Sequence, residues 1–384
     1  MKILLFNNHS YTREDIMDVL RMKGIHVEYM DHQFKDKNQD DKFLFDFKKM
    51  IVEKSFDLVF SINYYPLLAQ VCYDLKMKYI SWSYDCPLDV RNIEETLGYP
   101  TNYVFLYDKL QTQKYIDMGF ENIYHLPLAV NTKRLDKMVV KPNHIRDFSG
   151  DIAFVGKLYQ YVYPEIVELL PEYLQGYLDG ICESQLNVYG CYFLDQIVTE
   201  SLLSELNKIW YNKDGFRMIK EELTYAMAAH ITNKERMSIL SGLADNLEGR
   251  TINLFSGDKF KYKGISEKGR VNYWTEMPYV FKTNKINLNM SLKCIYSGIP
   301  LRVVDIMGSR GFLLTNFQSE LLDYFEPGED LAVYTGLEEA IDLSYYYLNN
   351  ESERNKIIEN GYLKVKKHFN YIDRLDTIFK TVGI

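Results

Sequence analysis

Cysteine is scarce: the chain has five in 384 residues, Cys72, Cys86, Cys182, Cys191 and Cys294, an odd number without regular spacing. They imply neither a zinc site nor a disulfide framework, and they suit reduced thiols in a cytoplasm. No run of about eighteen apolar residues occurs, so no membrane-spanning segment is expected. The opening Met1-Lys-Ile-Leu-Leu-Phe6 is broken at once by Asn7-Asn-His-Ser10. That is too short for a secretory leader and reads as a buried strand. Polar low-complexity runs and internal repeats are lacking too. A net charge of −8 argues against general nucleic-acid binding, which runs on clustered Lys and Arg.

What is present is ordinary globular material. Hydrophobic residues make up 47% and charged residues 26% of the chain, and the length accommodates two domains with separate cores. Tyrosine is abundant, with 32 residues. It can stack on bases and sugars, although ordinary packing also accounts for it.

Short β-rich runs at 2–6, 26–29, 58–61, 79–82, 103–106 and 123–126 alternate with helix-length segments, which predicts a parallel, doubly wound sheet. After the first run no Gly-x-Gly-x-x-Gly follows, so a dinucleotide cofactor is not expected there. Residues 133–150 are polar and read as a linker. A second alternating series starts at 151–155, is interrupted by a helical insertion at about 163–247, and resumes at 251–255, 286–289, 312–315 and 331–333. Residues 351–379 carry apolar positions at three- and four-residue steps, predicting one long helix or a kinked pair. The expected domains are 1–140, 151–350 and a terminal helical segment, 351–384.

Open α/β sheets bind ligands beyond the carboxyl ends of their strands. In the first domain this rule selects Asn7, Asn8, His9 and Ser10, then Asn63 and Tyr64, then Tyr84, Asp85 and Pro87. In the second it selects Gly156, Lys157 and Tyr159, then Ser256 and Gly257, then Ser291, then Asn316. Asp85 precedes Cys86-Pro87, which forces an extended backbone. Its carboxylate is read as a base or as a guide for an acceptor hydroxyl, against a plain turn cap. Asp108, in Leu-Tyr-Asp-Lys, reads as a helix N-cap. The stretch Ser297-Gly-Ile-Pro-Leu-Arg302 leads into a helix closed by Gly308. Helix-start amides dock an anion, Arg302 adds a bidentate contact, and Asp305 suits a ribose diol.

Ile286–Gly311, with Phe325-Glu-Pro-Gly328 downstream, resembles the C-terminal half of glycosyltransferases related to the spore maturation protein CgeB. The resemblance extends to Tyr79-Ile-Ser-Trp-Ser-Tyr-Asp-Cys-Pro87, Leu126-Pro-Leu-Ala-Val-Asn131 and Phe154-Val-Gly-Lys-Leu-Tyr159. It implies a GT-B fold, with two Rossmann-type domains facing a cleft and the terminal helix crossing back to the first. It also implies transfer of a hexose-type sugar from a nucleoside diphosphate, UDP favoured, to a hydroxyl on a protein or a cell-surface or spore glycan. On this basis Gly156, Lys157, Tyr159, Tyr273, Asn289, Ser297, Gly298, Ile299, Pro300, Arg302 and Asp305 face the donor. Asp85 and His9 are the candidate catalysts, and Asn8, Asn63, Tyr64, Trp82 and Tyr84 lie on the acceptor side. Many retaining relatives carry a second acid eight residues before the ribose-gripping one; here that position is Ser297. No Asp-x-Asp triplet occurs, so no metal cofactor is expected. The alternatives are a nucleotide- or glycan-binding scaffold without turnover and a sugar-nucleotide 2-epimerase.

Overall fold

The computed structural model describes residues 1–7, 10–34, 36, 39–88, 93–160, 162–215 and 217–384. They form two compact units. One comprises Met1–Asn131, Gly298–Val304 and Lys367–Ile384, the other Thr132–Ser297 and Asp305–Lys366.

The first unit is built on β1 (Lys2–Asn7), β2 (His26–Asp31), β3 (Leu58–Ile62), β4 (Lys78–Ser83), β5 (Asn102–Leu106) and β6 (Ile123–His125). All pair in parallel, in the order β2-β1-β3-β4-β5-β6. β3 is buried along its whole length and β4 nearly so, as strands covered on both faces must be. The first helix, Arg13–Met22, buries Ile16, Met17, Val19 and Leu20. Gly24, at φ +68°, then takes the left-handed turn that a side chain resists. Asp40 starts the helix Asp41–Lys54 by accepting from Phe43 N at 2.9 Å. That helix delivers Phe43 and Phe47, stacked at 5.2 Å, onto Phe6. Each such ring stabilises the core by about 1.5–3 kcal/mol.

The terminal segment is a kinked pair, Glu351–His368 and Tyr371–Val382, the second capped by Asn370. The stretch from Lys367 belongs to the first unit. There Phe369 O accepts from Val130 N at 2.7 Å, and Arg374 Nε donates to Pro127 O at 2.8 Å.

The second unit holds β7 (Gly150–Val155), β8 (Ile252–Phe255), β9 (Ile265–Glu267), β10 (Asn284–Asn289), β11 (Leu313–Asn316) and β12 (Ala332–Tyr334). Their order is β12-β11-β10-β7-β8-β9, again all parallel. Counted from β7, this is the 3-2-1-4-5-6 order of dinucleotide-binding sheets. Its direction of growth switches between β7 and β10.

The insertion between β7 and β8 is helical, running from Tyr163–Glu168 to Lys220–Asn246. It has a core of its own around Leu178, Leu206, Trp210 and Met227. The Trp210 indole donates to Ile166 O at 3.0 Å.

Two local expectations change. Residues 133–150 contain the helices Thr132–Asp136 and Pro142–Phe148, because Pro142 stands at a first-turn position where its missing N–H costs nothing. β9 escaped the pattern because Ile265-Ser-Glu offers a single apolar residue.

Candidate functional site

In the second unit the carboxyl ends of β7 and β10 flank the switch point. The turn after β7 is held by main-chain bonds. Gly156 N donates to Phe255 O at 3.1 Å, Leu158 N to Asp258 Oδ2 at 2.5 Å, and Leu158 O accepts from Asn233 Nδ2 at 2.7 Å. Tyr159 is left at φ +59°. A Cβ at Gly156 would sit 2.9 Å from the Phe154 ring, which explains the glycine. The turn leaves Lys157 exposed at its crest. After β10, Asn289 is buried and bonds Thr315 Oγ1 at 2.9 Å and Ser291 Oγ at 3.1 Å, so it shapes the edge from within.

Asp305 and Tyr273 come together. The Tyr273 hydroxyl donates to Asp305 Oδ1 at 2.9 Å, and Asp305 is 5% exposed. Trp274 meets Tyr273 edge-on at 5.3 Å and carries the Arg134 guanidinium over its own ring at 4.5 Å. Ser297 is also buried, its hydroxyl donating to Glu320 Oε1 at 2.6 Å. Trp274 and Glu320 were missed by the sequence reading. Glu320 lies four residues past β11, and extending the strand-end rule by one turn would have reached it.

Residues 298–304 group with the first unit. Gly298 N donates to Asp108 Oδ2 at 2.9 Å, while Asp108 Oδ1 accepts from Gln111 N at 2.8 Å and caps the helix Lys109–Asp117. Asp108 is thus the expected N-cap. The N–H of Gly298 is committed to it rather than to an anion. A Cβ there would lie 2.7 Å from the Tyr107 ring, so the residue serves a close approach. Ile299 is buried; Pro300 and Arg302 are half-buried, at the start of the helix Leu301–Gly308.

At the ends of β3 and β4 lies a second constellation. Asn63, at φ +68°, donates through Nδ2 to Asp85 Oδ2 at 2.6 Å. Its Oδ1 accepts from Tyr84 N at 2.9 Å and Asp85 N at 3.3 Å. Burial, followed by the Asp85 charge, pushes the Tyr84 phenol well above its usual range.

Two acceptor-side expectations, Tyr64 and Trp82, are core residues instead. The Tyr64 hydroxyl is held between Thr96 Oγ1 at 2.9 Å and Asn102 Nδ2 at 3.3 Å, and the Trp82 indole donates to Leu126 O at 3.3 Å. Their polar tips are spent inside the unit. Asn8 and His9 lie outside the described residues. Among the described residues, no group of three His, Cys, Asp or Glu is placed to hold a metal. No described helix is long and apolar enough to cross a membrane.

Residues 235–380 match the glycosyl transferase-like family model. An uncharacterized protein of Aquifex aeolicus (strain VF5) is 21% identical over 398 aligned positions, covering 98% of this chain and 93% of that one. Among solved structures, the sucrose-phosphate synthase of Thermosynechococcus elongatus superposes with a TM-score of 0.60 at 10% identity, covering 100% of this chain and 99% of its own. Anabaena Alr3699/HepE in complex with UDP-glucose gives 0.55 at 10% identity, covering 100% and 99%. The fold is that of GT-B glycosyltransferases. In GT-B terms, the family match takes in the helix Leu301–Gly308, Tyr273 and Asp305, whereas the Asn63–Asp85 constellation lies outside it.

Proposed function

We propose that the chain is a glycosyltransferase that moves a hexose-type sugar from a nucleoside diphosphate sugar, UDP favoured, to a hydroxyl on a protein or cell-surface glycan. The observation that carries this is Asp305 held by Tyr273 one helical turn after Arg302, on a helix that starts directly after Pro300 within the matched segment. Support also comes from the pinned turn that presents Lys157 at the switch point of a 3-2-1-4-5-6 sheet. The donor's ribose bonds Asp305, and its base lies along Tyr273. When the sugar C1–O bond to the diphosphate breaks, the charge left on the diphosphate is met by first-turn amides, Arg302 and Lys157, with no metal required. The acceptor oxygen bonds to C1 and its proton passes to Asp85, which Asn63 orients. Retention of configuration, with the acceptor bonding to C1 on the face from which the diphosphate departs, and membership of the CgeB-like subgroup belong to the same proposal.

A second reading, a binding scaffold without turnover, draws on Ser297 standing where many retaining enzymes carry an acid. Incubation with UDP-, GDP- and dTDP-sugars without acceptor separates the readings. Slow release of free nucleoside diphosphate supports the transferase, bound but unchanged donor supports the scaffold, and an epimeric product overturns both.

A further inference from the structure

The helix Lys220–Asn246 directs a run of polar side chains onto the two loops at the switch point of the second sheet. Thr232 Oγ1 accepts from Lys293 N at 2.9 Å, and Asn233 Nδ2 donates to Leu158 O at 2.7 Å. Glu235 Oε2 lies 3.3 Å from Lys293 Nζ, both side chains being buried. Arg236 reaches both loops. Its Nη1 donates to Lys157 O, while Nε, at 3.2 Å, and Nη2 donate to Met290 O. Arg236 is 7% exposed, and its guanidinium lies 5.1 Å from the ring centroids of both Phe154 and Tyr159.

Burying a guanidinium is costly, and apolar residues of similar volume often stabilise a core as well or better. What an apolar side chain cannot do is hold two carbonyls in one plane, which the rigid fork of arginine does. The held carbonyls lie beyond the β7–β10 ladder, whose register ends at Leu288↔Phe154. The clamp therefore acts on the loops and not on strand pairing. On the far side of each peptide plane, Leu158 N donates to Asp258 Oδ2 and Ser291 N to Asn316 Oδ1, at 2.5 and 2.8 Å. With both edges of these peptides held, the backbone from which the exposed Lys157 side chain leaves the loop is held too.

We propose that Arg236 is a positioning residue for the donor diphosphate, acting through the carbonyls of Lys157 and Met290. This rests on the donor-binding function proposed above. The test uses the full chain and two variants, Arg236→Met and Arg236→Lys, the latter keeping the charge without the fork. Hydrogen exchange at the Leu158 and Ser291 amides should quicken by about tenfold or more, while Ile239 and Leu240 in the same helix keep wild-type protection. UDP affinity by titration calorimetry should fall about tenfold or more in Arg236→Met, with Arg236→Lys between it and wild type. Uniformly faster exchange along helix and loops alike, or a destabilised Arg236→Lys that binds UDP as tightly as wild type, would overturn the assignment while leaving donor binding intact. A wild-type protein that binds none of UDP, GDP or dTDP would instead overturn the donor-binding function and this assignment with it.

Discussion

The phenol of Tyr273 is bonded to Asp305 Oδ1 at 2.9 Å across 32 residues of sequence. It fixes the rotamer of a nearly buried carboxylate, the one that the proposed function sets against the donor's ribose diol. Asp305→Asn and Arg302→Ala should each weaken UDP binding by about ten- to a hundredfold, the equivalent of about 1.5–3 kcal/mol for a charged hydrogen bond. Tyr273→Phe should cost less, because it frees the carboxylate without removing it. Calorimetry showing wild-type affinity in all three variants would exclude this region from donor binding.

Asp85 belongs to the other constellation. Asp85→Asn retains the shape and a partner for Asn63 but cannot take a proton. Transfer should drop by about a hundred- to ten-thousandfold while UDP affinity stays unchanged. Near-normal transfer would leave Asp85 a purely structural role. A parallel fall in affinity would move it to the donor side.

If backbone amides and basic side chains meet the phosphate charge, turnover should survive excess EDTA. Activity lost to the chelator and restored by manganese or magnesium would contradict the proposed chemistry.

Gly298 and Asp108 make a structural prediction. A methyl group at residue 298 would lie 2.7 Å from the Tyr107 ring and 3.0 Å from Asp108 Cα. Gly298→Ala should destabilise the chain by about 1–3 kcal/mol. Asp108→Ala removes a helix cap and the acceptor of Gly298 N, and should cost a similar amount. Denaturant midpoints at the wild-type value in both variants would show that the loop is free to move away.

Much of the sheet architecture was legible. Runs such as Leu58-Val-Phe-Ser-Ile62 are apolar throughout because parallel strands are covered on both faces, and helices punctuated by Gly24 or started by Asp108 carry their own signals. β9 was not legible, since an edge strand of three residues needs no apolar pattern. The rule that residues after strands line sites picked out Asn63, Asp85 and Lys157, which do follow strand ends, but it also drew in Tyr64, as the resemblance drew in Trp82. It cannot say which way a ring points. That choice was made by Thr96, Asn102 and Leu126, 32, 38 and 44 residues away in sequence.

The sequence by itself determined most of the strands and helices, β9 and the two helices within 132–148 apart, that there are two such series, and which loops follow those strand ends. Those properties depend on spacing and on the chemistry of near neighbours. Only the tertiary structure decided which polar groups are already spent. Gly298 N is committed to Asp108 across 190 residues, Ser297 to Glu320 across 23, and Lys157 O to Arg236 across 79. A hydrogen bond forms where a donor and an acceptor come within about 3 Å in the right direction. Distance along the chain does not encode that closeness; the packing of one unit's elements creates it.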